Sequence, residues 1–166
     1  MKKLLRNFLV LTAFISIFTF LSVGTKASTS SYKNTIDSFK VTTNSKYQPH
    51  AGKTFCNIFA QDVMKKLGTP LPDGPCSTIL SKLKGNATTH WRSVSAVTAQ
   101  NRANNGDSTI GITSDHIVVI YPHGNTAKTV GDLWMSMSGY KCFNNTSIRY
   151  AWTSSALSNV KFYSWY

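Results

Sequence analysis

Glutamate is missing from this chain of 166 residues, and all six of its acids are aspartates. Any carboxylate that a catalytic centre here uses is therefore an aspartate. Cysteine is scarce as well. Three cysteines do not make a disulfide-dense scaffold. No block of five adjacent lysines and arginines occurs, and no Cys/His set has the short paired spacing of a zinc site. Specific nucleic-acid binding, a metal and a cofactor are therefore not expected. No internal repeat or interdomain linker is visible, and the length suits one domain.

What the chain does have begins at its start. Lys2, Lys3 and Arg6 precede an apolar run over 8–23, and the small-residue site Thr25-Lys26-Ala27 follows. That is the build of a cleaved secretory signal peptide, 1–27, and predicts a secreted or periplasmic protein. A retained anchor is the alternative, because the run is long enough. No cysteine stands at the exit of the run to take a lipid. Cleavage would leave about 139 residues, enough for a real apolar core. The leader holds four bases and no acid, so the formal net charge would fall from +12 to +8. A basic exported protein suits an anionic partner such as a wall polymer.

Residues 28–46 form a polar segment with a short helix expected around 32–40. Tyr47-Gln48-Pro49-His50-Ala51-Gly52 reads as an extended arm and turn. The clearest helix spans 55–67: Phe55, Phe59 and Val63 stand at i, i+4 and i+8. Lys65, Lys66 and Gly68 mark its end. A Pro-rich loop follows, then a short helix over 78–84 and another over 91–103. Strand character begins at 109 and peaks at Ile117-Val118-Val119-Ile120-Tyr121. Weaker strands are expected at 133–137, 149–152 and 160–165. Helices first and strands later predict an α+β domain, with N-terminal helices packed on an antiparallel sheet.

Cys56 opens the clearest helix. A sulfur there lies near unpaired N–H groups and the positive end of the helix dipole, which favour thiolate. A thiolate nucleophile needs a base. Of the four histidines, His116 is placed best, at the entrance to the apolar strand. A buried core thiol and a structural histidine are the plain alternative. Cys76 and Cys142 form the candidate disulfide of an exported protein, leaving Cys56 free, though other pairings stay open.

The stretches "YQPHAGKTFCNIFAQDVMKKLGTPLP", "WRSVSAVTAQNRANNGDSTIGITSDHIVVIYP" and "NVKFYSWY" resemble the papain-like peptidoglycan hydrolases of the CHAP and NlpC/P60 superfamily. The resemblance is best over 47–121 and looser beyond. It implies a 47–166 cysteine hydrolase domain with Cys56 as nucleophile and His116 as base. Ala99-Gln100 and Ala103-Asn104-Asn105-Gly106 match the segment between them. Asp115 stands where the family commonly has glycine. A polar residue on the strand after the histidine strand orients the imidazole in that family. The candidates are Asp132, Ser136, Ser138 and Asn144, of which Asp132 and Asn144 are carried forward. The Cys56 backbone N–H, with Gln48 as second donor, would form the oxyanion hole. Trp91, Asp115 and Trp134 would line the substrate groove, with Trp152 and Tyr140 as further aromatics.

The resemblance implies an endopeptidase or N-acetylmuramoyl-L-alanine amidase acting on peptidoglycan through a thioester. The protein would be a monomer with an anionic wall polymer, and an immunity or inhibitor protein, as potential partners. The rival readings are a non-enzymatic wall-binding or inhibitory protein, and a thiol-dependent toxin acting on a protein amide.

Overall fold

In the computed structural model, residues 28–85 and 90–166 are described; the expected leader, 1–27, lies outside the described residues. The chain folds as a mixed α+β domain. In order it forms α1 (Thr29–Ser38), α2 (Cys56–Lys66), α3 (Cys76–Lys84), β1 (Trp91–Val94), α4 (Ala96–Asn104) and β2 (Thr109–Ile112). Then come β3 (Ile117–Ile120), β4 (Trp134–Met137), β5 (Phe143–Ser147), α5 (Ser154–Leu157) and β6 (Lys161–Trp165). The strands make one six-stranded sheet in the order β1-β6-β2-β3-β4-β5. Every neighbouring pair is antiparallel. The last strand is inserted between β1 and β2 and so closes the fold.

Two expectations about elements are corrected. The segment from Trp91 does not begin a helix. Trp91–Val94 pairs with β6, and the helix starts only after Ser95, whose hydroxyl accepts from the Thr98 N–H. Ser95 is a strong N-cap, so the stop signal lay inside the stretch read as continuous. The segment 149–152 is not a strand either. It holds the end of a 3-10 helix, Ile148–Tyr150, and the strand precedes it as β5.

The stripe on α2 buries Phe59, Ala60, Val63 and Met64 completely against β3 and β4. On α4 the buried residues are small, Ala99 and Ala103, which lets the helix sit close to β2, β3 and β6. Between them lies Gln100, fully buried. Its amide donates to the Tyr121 carbonyl at 2.8 Å and accepts from the Trp134 N–H at 2.8 Å. A buried amide with its hydrogen bonds made fixes the strand ends it bridges.

The polar segment 28–46 belongs to the same core. Tyr32 and Ile36 of α1 are fully buried, and α1 contacts both α2 and α4. The Tyr32 hydroxyl donates to the Ile120 carbonyl at 2.9 Å and accepts from the Thr109 N–H at 3.2 Å. Asp37, at the end of α1, accepts from Asn144 Nδ2 at 2.7 Å, Lys33 Nζ at 2.9 Å and the Tyr121 hydroxyl at 3.0 Å. Burial pushes its carboxyl up, but these three donors outweigh burial and hold it below the ordinary range.

Candidate active site

Cys56 is the first residue of α2, and the N-cap Phe55 offers no side-chain acceptor to the first turn. No side-chain cap therefore competes for the backbone N–H groups of that turn. His116 is placed by the turn that joins β2 to β3. The Thr113 N–H donates to the His116 carbonyl at 2.8 Å, and the His116 N–H donates to the Thr113 hydroxyl at 3.2 Å. The Thr113 hydroxyl donates in turn to Asp115 at 2.7 Å. Asp115 thus braces the histidine turn in the place where the resembled family commonly has glycine.

These two elements meet. The His116 imidazole and the Ile117 N–H stand close enough to the Cys56 sulfur to favour its thiolate. A third group, missed in the sequence, is Cys76. It is the first residue of α3, whose N-cap Pro75 also lacks a side-chain acceptor. The Cys56 and Cys76 sulfurs stand 3.6 Å apart. The Cys76 hydrogen bond is the largest cause holding the Cys56 thiol well below its ordinary value. Burial opposes it, and His116 and the Ile117 N–H reinforce it. Cys76 moves the other way, raised first by its hydrogen bond to Cys56 and then by burial. The two shifts are opposed, downward for Cys56 and upward for Cys76, which makes Cys56 the thiolate candidate of the pair.

Both thiols are nearly covered, with Cys56 4 % and Cys76 5 % exposed. A groove of about 770 Å³ has Thr54, Asp115 and His116 in its wall, but neither of these thiols. Tyr140, Phe143, Tyr150 and Trp152 give it aromatic faces, and Lys141 and Arg149 give it positive charge. Tyr140 and Tyr150 are the most exposed large apolar side chains among the described residues. The Trp152 ring meets His116 edge to face at 5.2 Å, and its buried indole Nε1 has no hydrogen-bond partner.

Several sequence candidates stand elsewhere. The second ring nitrogen of His116, Nε2, faces Met137 Sδ at 3.1 Å, so a thioether on β4 occupies the place expected for a polar partner. Asp132 caps the turn at 129–132, accepting from the Lys128 and Thr129 N–H groups. Those backbone donors hold its carboxyl below the ordinary range. Asn144 bonds Asp37 and the Ser136 hydroxyl, the latter at 2.6 Å. The Ser138 hydroxyl donates to the Tyr47 carbonyl at 2.6 Å. Gln48 Nε2 donates to the Val41 carbonyl at 2.8 Å.

The aromatic expectations divide. Trp91 is buried in β1, with its indole N–H on the Pro70 carbonyl at 3.0 Å. Trp134 stacks on His123 at 3.5 Å, outside the groove. Trp152, Tyr140 and Asp115 do line it. The candidate disulfide is also corrected. All three cysteines are free, and the Cys142 thiol donates to the Tyr47 carbonyl at 3.3 Å. Cys76 lies instead against Cys56. No cluster able to hold a metal ion occurs among the described residues.

The segment matched as Ala99-Gln100 and Ala103-Asn104-Asn105-Gly106 has a structural role. Gln100 joins strand ends, as above. Asn104 accepts from the Gly124 N–H at 3.0 Å and donates to the Asn125 carbonyl at 2.8 Å. No family model matches this chain, and no curated protein matches it either.

Proposed function

We propose that the protein is a papain-like cysteine hydrolase that cleaves an amide bond in peptidoglycan. One observation supports this above the others. Three groups from two elements favour the thiolate of one helix-start sulfur: His116 and the Ile117 N–H of the β2–β3 hairpin, and the Cys76 thiol of α3. A structural thiol does not need that many charge-stabilising neighbours, whereas a nucleophile does.

In this reading His116 keeps Cys56 as thiolate. The sulfur turns from Cys76 toward the groove and attacks the amide carbon. The negative oxygen that forms is met by the Cys56 N–H at the start of α2. His116 then protonates the leaving amine, and water, deprotonated by His116, hydrolyses the thioester. The groove fits the substrate class. Aromatic faces suit sugar rings and aliphatic peptide stems, and Lys141 and Arg149 suit peptide carboxylates. Whether the bond lies between amino acids or at the lactyl amide is read from the masses of the products.

A second reading is favoured by burial. Cys56 is only 4 % exposed, and Met137 gives His116 neither charge nor a strong acceptor. Those features fit a wall-binding protein that keeps the architecture without the chemistry. The test compares wild type with Cys56→Ala and His116→Ala for release of new amines and soluble muropeptides from purified peptidoglycan. The hydrolase reading expects release by wild type and a loss of at least ~100-fold in either folded variant. Equal release from all three proteins, or none from wild type across several wall types, overturns it.

A further inference from the structure

Two helix starts converge on one point in this fold, and each contributes a thiol. Cys56 opens α2 and Cys76 opens α3, with 3.6 Å between their sulfurs. A disulfide bond is about 2.05 Å long, so an approach of ~1.5 Å separates the present pair from a bond. Rotation of two side chains at helix starts can supply it.

The convergence is specified by the loop between the helices. Asn57 Nδ2 donates to the Gly74 carbonyl at 3.1 Å, and Gln61 Nε2 donates to the Pro72 carbonyl at 3.0 Å. Both donors lie on α2, and both acceptors lie in the segment that leads to Cys76. Gly74 has φ +125°, which side chains rarely adopt, and a Cβ there would lie 3.1 Å from Thr78. Helix α2 therefore templates the backbone that delivers Cys76 to Cys56.

We propose that Cys56 and Cys76 are a redox-active dithiol, oxidised by small hydroperoxides to an intramolecular disulfide and returned by thiol reductants. The Cys56 thiolate attacks one peroxide oxygen. The O–O bond breaks, Cys56 becomes a sulfenic acid, and the departing hydroxide takes a proton to become water. The Cys76 sulfur then attacks the Cys56 sulfur. The S–O bond breaks, and the hydroxide leaves as water with the Cys76 proton. Two thiols lose two electrons, and one peroxide becomes two waters. The depressed Cys56 thiol is the attacking group, and the protonated Cys76 is the resolving one. Near-complete burial favours an oxidant as small as hydrogen peroxide. Cys142, held on the Tyr47 carbonyl, stands apart from the pair.

The dithiol stands without the proposed hydrolysis; only its consequence, a nucleophile withdrawn from use, rests on that reading. The test treats the full chain with hydrogen peroxide, alkylates the remaining thiols, and digests without reductant for mass spectrometry. The expected product is one linked peptide pair joining Cys56 to Cys76, lighter by two hydrogens, with Cys142 alkylated. Dithiothreitol restores both thiols. In Cys142→Ser the bridge forms unchanged, and in Cys76→Ser the reaction stops at a Cys56 sulfenic acid that dimedone traps. A bridge to Cys142, or Cys56 and Cys76 both still alkylated after peroxide, overturns the proposal. Muropeptide release is measured on the same samples. A bridge formed by a protein that releases nothing when reduced keeps the dithiol and removes the hydrolase. Undiminished release after peroxide keeps the hydrolase and removes the dithiol.

Discussion

At the scale of single residues, the charge on Cys56 is the property with the most direct readout. Its thiol is held well below the ordinary 9.0, chiefly by the Cys76 hydrogen bond and then by His116 and the Ile117 N–H, against burial. Alkylation by iodoacetamide follows thiolate fraction. In the denatured chain the rate falls about tenfold for each pH unit below 9. In the native protein the Cys56 rate is expected to stay level from pH 9 down to mildly acidic pH, with Cys76 silent because its folded value is raised. A native Cys56 profile that tracks the denatured one would remove the thiolate. The same shifts act on stability. Between the depressed Cys56 value and 9.0 the native pair binds one proton fewer than the unfolded pair, so stability rises with pH through that window. It is lost as pH falls through the folded Cys56 value. Above 9.0 the raised Cys76 reverses the sign, because the unfolded pair then binds fewer protons. That Cys56 opens a helix and His116 leads into a strand was legible in the sequence, because each sits beside a strong apolar pattern. Cys76 and Met137 were not. Which thiol meets Cys56 depends on where the Pro-rich loop returns, and a methionine at the imidazole carries no pattern of its own.

At the scale of elements, α2 and the hairpin of β2 and β3 position the site, and their packing makes a prediction of its own. Gly111 sits mid-strand in β2, between β6 and β3, and pairs with Phe162 across β6. A Cβ at Gly111 would lie 2.9 Å from Phe162 Cε1 and 3.3 Å from Val160 Cγ1. The Phe162 ring covers the place a side chain would take, and both neighbours are buried. Overpacking at such a point costs about 1–3 kcal/mol, so Gly111→Ala is expected to lower the urea midpoint by that equivalent. An unchanged midpoint would mean that the ring swings aside freely. The elements most visible in sequence were those with one strong period: α2 on its stripe, and β3 on its run of β-branched residues. The segment at Trp91 was misread because Val94 and Val97 fit a helix as well as they fit a strand running into one. Only the pairing with β6, roughly seventy residues away, decides it. Likewise Ile148–Tyr150 turns as a 3-10 helix because the Ser147 hydroxyl accepts from the Arg149 N–H, a local bond that competes with strand pairing.

At the scale of the molecule, the open question was where the domain begins. Composition set 28–46 apart as a polar segment, since Ser, Thr, Asn and Lys outnumber its apolar residues. Tertiary contact overrides composition here. Tyr32, Ile36 and Val41 are essentially buried, and each such side chain contributes about 1.5–3 kcal/mol on leaving water. Three of them amount to roughly 5–9 kcal/mol, comparable to the whole stability of a typical domain. The Tyr32 hydroxyl adds a specific bond between the end of β3 and the start of β2. Removing it in Tyr32→Phe leaves the Thr109 N–H short of that acceptor, at a cost of about 1–3 kcal/mol. The segment also reaches the candidate site indirectly, because α1 packs on α2, whose first residue is Cys56. Deleting 28–46 is therefore expected to abolish the cooperative thermal transition in near-ultraviolet circular dichroism. Tyr32→Phe should keep the transition at a lower midpoint. A truncated chain that melts as sharply as the longer one, with Cys56 still reactive at mildly acidic pH, would return the boundary to Tyr47 and make α1 an accessory.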